Sequence, residues 1–202
     1  ILDKYGKSNL AALEYALESL INSDVSIINM SLSFEKVIDG NLYRILRKLT
    51  KQKVTIIASM SNNGGISYPA IYDNVIGVRA GILEQEGGFW FHKGKQIQCV
   101  VDCVAPVVAV PPNTYIMIPS CNSIATARLT GIVSKFFWES KNIKVDYKNV
   151  CEWLQETAIR NEWKEENLYE RFRVPENCNW FVDNKDPVLT RIFQAICRYF
   201  GR

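Results

Sequence analysis

What most restricts the fold of this chain is a rhythm. Short apolar runs rich in β-branched residues, at 25–29, 54–58 and 75–78, are spaced by segments with other periodicities. Runs of four or five residues with little alternation suit strands covered on both faces, as in parallel sheets. Leu10, Leu13, Leu17, Leu20 and Ile21 recur at the spacing of a single helical stripe, after a turn at Lys4-Tyr5-Gly6-Lys7 with Ser8 as the expected helix cap. Leu42, Ile45, Leu46 and Leu49 repeat that pattern, with Arg44, Arg47, Lys48 and Lys51 on the wet side as a solvated face. Strands in parallel need crossovers, and helices supply them. The expectation is an α/β fold with a three-layer, doubly wound and mostly parallel sheet.

Composition narrows the function classes. A chain of 202 residues that is 48% hydrophobic can bury a core of its own. Its formal charge of +3 does not mark a nucleic-acid binder. No apolar run reaches the roughly 18 residues that a membrane-spanning helix needs. The six cysteines are scattered, and beyond Cys99 and Cys103 no close pair or suitably spaced histidine completes a zinc site. They read as buried thiols of a reducing compartment, which leans toward the cytoplasm. The chain opens on Ile1-Leu2, inside what reads as a strand, and so is expected to be a piece of something longer.

The most informative stretch is 119–133. Pro111, Pro112 and Pro119 bar a helix before it, because proline lacks the amide donor and restricts its predecessor. Downstream, Ile124, Leu129, Ile132, Val133, Phe136 and Phe137 follow a helical period to about Lys141. The residues before 119 read as an irregular approach, and the helix must begin near Ser123. On the residues alone two readings of Ser123 stay open. Its hydroxyl caps the helix by accepting from a first-turn amide, or it is a nucleophile at a helix N-terminus that supports negative charge.

Ser123, Ala125, Thr126 and Gly131 resemble the serine motif of the subtilases, the subtilisin-like serine proteases; Cys121, Asn122, Ala127 and Arg128 depart from it. Two more segments carry the resemblance in the family's order. Val25-Ser26-Ile27-Ile28-Asn29-Met30-Ser31-Leu32 is similar to the family's strand ending in Val-Ile-Asn-Met-Ser-Leu. Ser61-Asn62-Asn63-Gly64, Tyr68-Pro69-Ala70 and Val75-Ile76-Gly77-Val78 are similar to its Ala-Gly-Asn-Glu-Gly, Tyr-Pro-Ala and Val-Ile-Ala-Val series. The resemblance covers roughly residues 1–139 and implies the C-terminal two-thirds of a catalytic domain, incomplete at its N-terminus.

It implies Ser123 as nucleophile and Asn62 as oxyanion-hole donor, with Ser59, Ser61 and Asn122 as substrate-binding residues. Without the resemblance, Asn62-Asn63-Gly64-Gly65 is explained as a turn. The ligand expected is a polypeptide, bound as an extended strand beside the sheet. Neither an Asp-(Ser/Thr)-Gly nor a His-Gly-Thr motif occurs, and the family places both before the position matching Ile1. An N-terminal segment or second chain is therefore expected to complete the fold, and this chain alone is expected to be inactive, since a serine without its base is a weak nucleophile. His92, the only histidine, falls in a polar, glycine-rich segment, 84–94, expected to be a hairpin or loop. Ser61, Arg79 and Val107 stand where the family has glycine, and Cys121-Asn122 where it has Gly-Thr. These departures suit a pseudoprotease that keeps a peptide cleft without the chemistry; a generic α/β fold with an unrelated role is the third reading. No cofactor or metal is expected, and structural calcium has no support in the sequence.

The remaining chain divides as 1–160, the main domain, and 161–202, a C-terminal extension. Residues 98–104 read as a strand and 147–160 as a helix. Residues 162–173 read as a surface helix or linker and 177–185 as a loop. Asp186-Pro187 opens a last helix whose stripe of Leu189, Ile192, Phe193, Ile196 and Phe200 lies opposite Arg191, Arg198 and Arg202. That helix either packs on its own core or docks a partner.

Overall fold

The computed structural model describes residues 9–36, 40–104, 107–117, 120–140, 145–164 and 191. Strands β1 (Ile27–Met30), β2 (Thr55–Ser59), β3 (Ile76–Gly81), β4 (Phe89–Phe91) and β5 (Cys99–Asp102) form one sheet in the order β1-β2-β3-β5-β4. All neighbours are parallel except β4, which runs antiparallel on β5. The expected strands are therefore present, with ends displaced by one to three residues.

Every residue of β2 is buried, as a strand with helices on both faces requires. Its alternation sends Ile56 and Ala58 toward α1 (Leu10–Ser19) and α2 (Asn41–Lys51), where they meet Leu13, Leu17, Leu42 and Leu46. Ile57 points the other way, with Ile76, Val78 and Val101, onto Leu129 and Val133 of α3 (Asn122–Glu139) and onto Val150 and Leu154 of α4 (Tyr147–Thr157). Sheet and helices thus form three layers. The α1 cap is Asn9, whose Oδ1 accepts from the Ala12 amide at 2.8 Å, one residue later than the Ser8 expected. α4 opens with a capping box between Asp146 and Asn149 and buries Val150, Cys151 and Leu154.

Of the two forms expected for 84–94 the hairpin is the one present: Phe89-Trp90-Phe91 forms β4, because three aromatics can be buried against β5 in the register Phe89↔Val101 and Phe91↔Cys99. The approach to Ser123 is not irregular as expected. β6 (Val107–Val110) and β7 (Thr114–Met117) pair antiparallel around Pro111-Pro112-Asn113, with Asn113 at φ 59°, a left-handed conformation that asparagine tolerates.

After α4 the chain returns to the sheet. The Ile159 amide donates to the Phe89 carbonyl (2.9 Å) and the Phe91 amide to the Arg160 carbonyl (3.0 Å), covering the outer edge of β4. Trp163 then packs 5.9 Å from Trp90. The expected loop at 177–185 lies outside the described residues, as do the surface helix or linker expected at 162–173, apart from residues 162–164, which are not helical, and the expected last helix, apart from residue 191. Arg191 is not on a wet face: its side chain is 13% exposed and forms a two-pronged pair with Asp102, Nη1 to Oδ1 at 2.6 Å and Nη2 to Oδ2 at 2.7 Å.

Candidate active site

Because β1, β2 and β3 are parallel, the residues that follow them emerge at one edge of the sheet, where ligands of such folds gather. α3 begins at that same edge. Its cap is Cys121, extended at φ −148° and contributing no side-chain bond, so Ser123 lies inside the first turn and is not the cap. That removes the capping role and leaves the hydroxyl available for other work.

Ser123 is half-buried and held by a residue that sequence reasoning noted only as part of a strand motif. The Ser31 hydroxyl donates to the Ser123 carbonyl at 3.0 Å, and the Ser123 hydroxyl donates weakly to the Ser31 carbonyl at 3.4 Å. Asn29 Nδ2 donates to Ser31 Oγ (3.1 Å), and Thr130 Oγ1 donates to Asn29 Oδ1 (2.9 Å), tying β1 to the third turn of α3 as well. The Asn-Met-Ser run at the end of β1 was the signal for this brace.

Asn62 sits on the loop after β2, exposed at its tip. Its Oδ1 accepts from the Asn122 amide at 3.0 Å, which fixes the carboxamide next to the start of α3. No described residue takes its Nδ2, and the Ser123 amide, in the first turn, lacks an intrahelical acceptor. Asn62, expected as an oxyanion donor, is thus bonded to the residue that precedes Ser123.

Asn122, expected to bind substrate, lines the cleft and bonds three backbone groups through its side chain. Its Nδ2 donates to the Met60 and Ser61 carbonyls, both at 3.0 Å, and its Oδ1 accepts from the Ala80 amide at 2.8 Å. Both donor hydrogens are used, and the side chain becomes a rivet between the ends of β2, β3 and α3. Ser61 lines the neighbouring cleft; its amide donates to Ser67 Oγ at 2.7 Å, which closes the loop on itself. Ser59 is 3% exposed within β2 and is not among the cleft-lining residues. The cleft, about 560 Å³, lies against Met60, Asn62, Arg79, Ala80, Cys121 and Asn122 among others.

No base for Ser123 is present among the described residues. His92 follows β4, three strands from β2 in the sheet; its Nδ1 accepts from the Gly94 amide (2.9 Å) and its ring stands edge-on to Trp163. Among the described residues no group of three His, Cys, Asp or Glu could hold a metal ion, and no helix is long and apolar enough to cross a membrane. Three of the four described cysteines, Cys99, Cys103 and Cys151, are buried and all four are unpaired; Cys121 is half-buried at the cleft. Burial pushes the Cys99 thiol up, with Cys151 nearby adding to it, and pushes Cys151 up to about 11.

No protein-family model matches the chain. Two curated relatives are a thermostable alkaline protease of Halalkalibacterium halodurans, 26% identical over 136 residues, and M-protease of Shouchella clausii, 24% identical over 166 residues. The matches take in 66% and 79% of this chain but only 37% and 43% of those proteins, so the chain spans less than half the length of either. Among solved structures, sphericase superimposes with a TM-score of 0.61 at 19% identity, over 77% of this chain and 57% of its own. The prenylagaramide maturation protease PagA superimposes with a TM-score of 0.64 at 20% identity, over 97% of this chain and 70% of its own. The fold is subtilisin-like, and the resemblance read from the three motifs is shared by sequence relatives and by architecture.

Proposed function

We propose that this subtilisin-like chain carries the nucleophile and the oxyanion donors of a serine endopeptidase that cleaves or matures polypeptides, and that the aspartate and histidine come from a segment outside it. The observation that carries the reading is the bond from the Asn122 amide to Asn62 Oδ1, which ties the Asn62 carboxamide to the residue that precedes Ser123. In the proposed reaction a histidine takes the Ser123 proton as Oγ attacks the peptide carbonyl. The oxyanion that forms is met by Asn62 Nδ2 and the Ser123 amide, and the same histidine returns the proton to the departing amine. The outer edge of β1 has no strand partner among the described residues. A further parallel strand added there would end at the same sheet edge as Ser31 and Ser123, where an acid and a base are needed.

A second reading, a pseudoprotease that binds peptide without cutting it, is favoured by the departures from glycine at Ser61, Arg79 and Cys121, all three of which line the cleft. Bulk at such positions narrows the approach of a substrate backbone. Labelling of the full-length protein with a fluorophosphonate, located by mass spectrometry, separates the two. Label on Ser123 that is lost in Ser123→Ala supports the peptidase; a folded, unlabelled protein sinks it and leaves the peptide-binding module.

A further inference from the structure

We infer that Thr130, about two turns beyond Ser123 on α3, is a positioning residue for the nucleophile and acts on it through Asn29 and Ser31; this rests on the reading above that Ser123 is a nucleophile. What points to it is the direction in which a row of polar groups gives up its hydrogens. Thr130 Oγ1 donates to Asn29 Oδ1 at 2.9 Å, Asn29 Nδ2 donates to Ser31 Oγ at 3.1 Å, and Ser31 Oγ donates to the Ser123 carbonyl at 3.0 Å. The row leaves the third turn of α3, crosses β1 and returns to the first turn of the same helix.

A carboxamide can face its neighbours either way round, and a hydroxyl has one hydrogen to give. With Oδ1 turned to Thr130, Asn29 turns Nδ2 to Ser31, so the Ser31 hydroxyl accepts there and keeps its hydrogen for Ser123. Turned the other way, the Asn29 oxygen would take that hydrogen, and Ser123 would lose its bond to the Ser31 side chain. Asn29 is exposed on β1, and among the described residues only Thr130 and Ser31 bond its side chain, so Thr130 selects the orientation. Thr130 Oγ1 also lies 2.9 Å from the Thr126 carbonyl of its own helix, a common partner for a helical threonine. Ser134, one turn on, bonds only such a carbonyl, that of Thr130, and does not reach the strand. The consequence falls on Ser123, which is bonded to Ser31 twice, through its carbonyl at 3.0 Å and its hydroxyl at 3.4 Å. A base must take over the longer bond; the shorter one keeps the first turn of α3 on the sheet edge while the hydroxyl changes partner. Placement of this kind matters to rate, since a misplacement of about 1 Å can cost on the order of 10²-fold.

The test is the rate at which a fluorophosphonate labels Ser123 in the full-length protein, followed over probe concentration and pH so that affinity, the rate within the bound complex and the pH midpoint are separated. In Thr130→Val, which keeps the shape and removes the hydroxyl, the bound complex is expected to label roughly threefold to tenfold more slowly, the worth of one hydrogen bond. Affinity and pH midpoint stay as they were. Thr130→Ser restores the rate, and Ser134→Ala, which removes a helical hydroxyl with no bond to β1, leaves it unchanged. Asn29→Asp interrupts the same row from the strand: an ionised carboxylate only accepts, so it draws the Ser31 hydrogen and slows labelling as well. That variant leaves α3 untouched and decides the matter if Thr130→Val does not fold. Labelling in either folded variant as fast as in the unsubstituted protein overturns the proposal, as does a loss that Thr130→Ser fails to restore. If the unsubstituted protein is folded and unlabelled, the peptidase reading fails and takes this proposal down with it.

Discussion

α3 is held by two polar clusters of opposite character, one at its first turn and one two turns on. At the first turn the contacts are neutral and partly exposed: Asn62 to the Asn122 amide, Asn122 to Met60, Ser61 and Ala80, and Ser31 to Ser123. Farther along, Arg128 Nη1 donates to the Asp102 carbonyl at 2.7 Å, and the Asp102 carboxylate, 1% exposed, accepts from the Leu83 and Gly87 amides and from both prongs of Arg191. The charged cluster satisfies its acceptor oxygens from within the protein and has nothing left for a ligand. The neutral one fixes its residues just as firmly but leaves the Asn62 amide nitrogen open. One is an anchor that ties the C-terminal extension to the end of β5, and the other has the composition of a site.

The sharpest way to break this contrast is Asp102→Ala. It strands the Arg191 guanidinium, 13% exposed, without its counter-ion, and removing one member of a buried pair costs about 3–5 kcal/mol. Urea denaturation of the full-length protein should show a loss of that order, with Arg191→Ala falling in the same range and the double variant far short of the sum. A cost under about 1 kcal/mol would place this cluster with ordinary surface pairs.

Asn62→Ala is expected to do the reverse, lowering kcat with little change in stability, because the residue is exposed and its Nδ2 bonds no described group. The loss should be about 10²- to 10³-fold, a scale known for the oxyanion asparagine of subtilisin itself and not deduced from this geometry. Steady-state kinetics beside a thermal melt decide it; an equal fall in stability would make Asn62 a second anchor.

Asn122→Ala tests the rivet between the two roles. Three hydrogen bonds are lost, and the half-buried carbonyls of Met60 and Ser61 and the Ala80 amide are left to find water, so a cost of about 1–3 kcal/mol is expected. The Asn62 loop should loosen as well, read as faster hydrogen exchange at residues 60–64 than elsewhere on the sheet edge. Unchanged exchange there would show that the bonds left in the variant, from the residue 122 amide to Asn62 and from the Ser61 amide to Ser67, are enough to hold the loop.

The two clusters also differ in how well the sequence announced them. Ser123, Asn62 and the strands before them lie in contiguous stretches whose order and spacing are visible along the chain, and β2 betrays itself by its apolar centre, Ile56-Ile57-Ala58. The anchor has no such signature. Asp102 and Arg191 are 89 residues apart, and an arginine opposite an apolar stripe reads as solvated until the sheet end that receives it is known. Asn122 was legible as a departure within the motif stretch but not as a rivet, because its three partners come from the ends of two different strands. For 84–94 the glycines and charges around Phe89-Trp90-Phe91 left hairpin and loop both open, and only the edge of β5 gives the three aromatics a place to be buried. Local chemistry was readable; pairings made by topology were not.

The smallest effect expected lies beneath both clusters, among the thiols on the α3 face of the sheet. Burial is the main reason that Cys151 is pushed up to about 11 from an ordinary value of 9.0, with the Tyr147 side chain lowering it in part. Since its pKa is raised in the folded protein, the folded state holds the thiol proton after the unfolded chain has begun to release it. The contribution to stability is therefore complete below pH 9 and falls away between pH 9 and about 11. Cys99 is shifted in the same direction by its own burial, so the two thiols act together. Melting temperatures measured from pH 8 to 11 should decline over that window, and Cys151→Ala, which keeps the site apolar with a small loss of volume, should make the decline shallower while lowering the value at pH 8. A profile as steep in Cys151→Ala as in the unsubstituted protein would take the alkaline sensitivity away from Cys151 and leave it to Cys99, whose thiol is raised by its own burial.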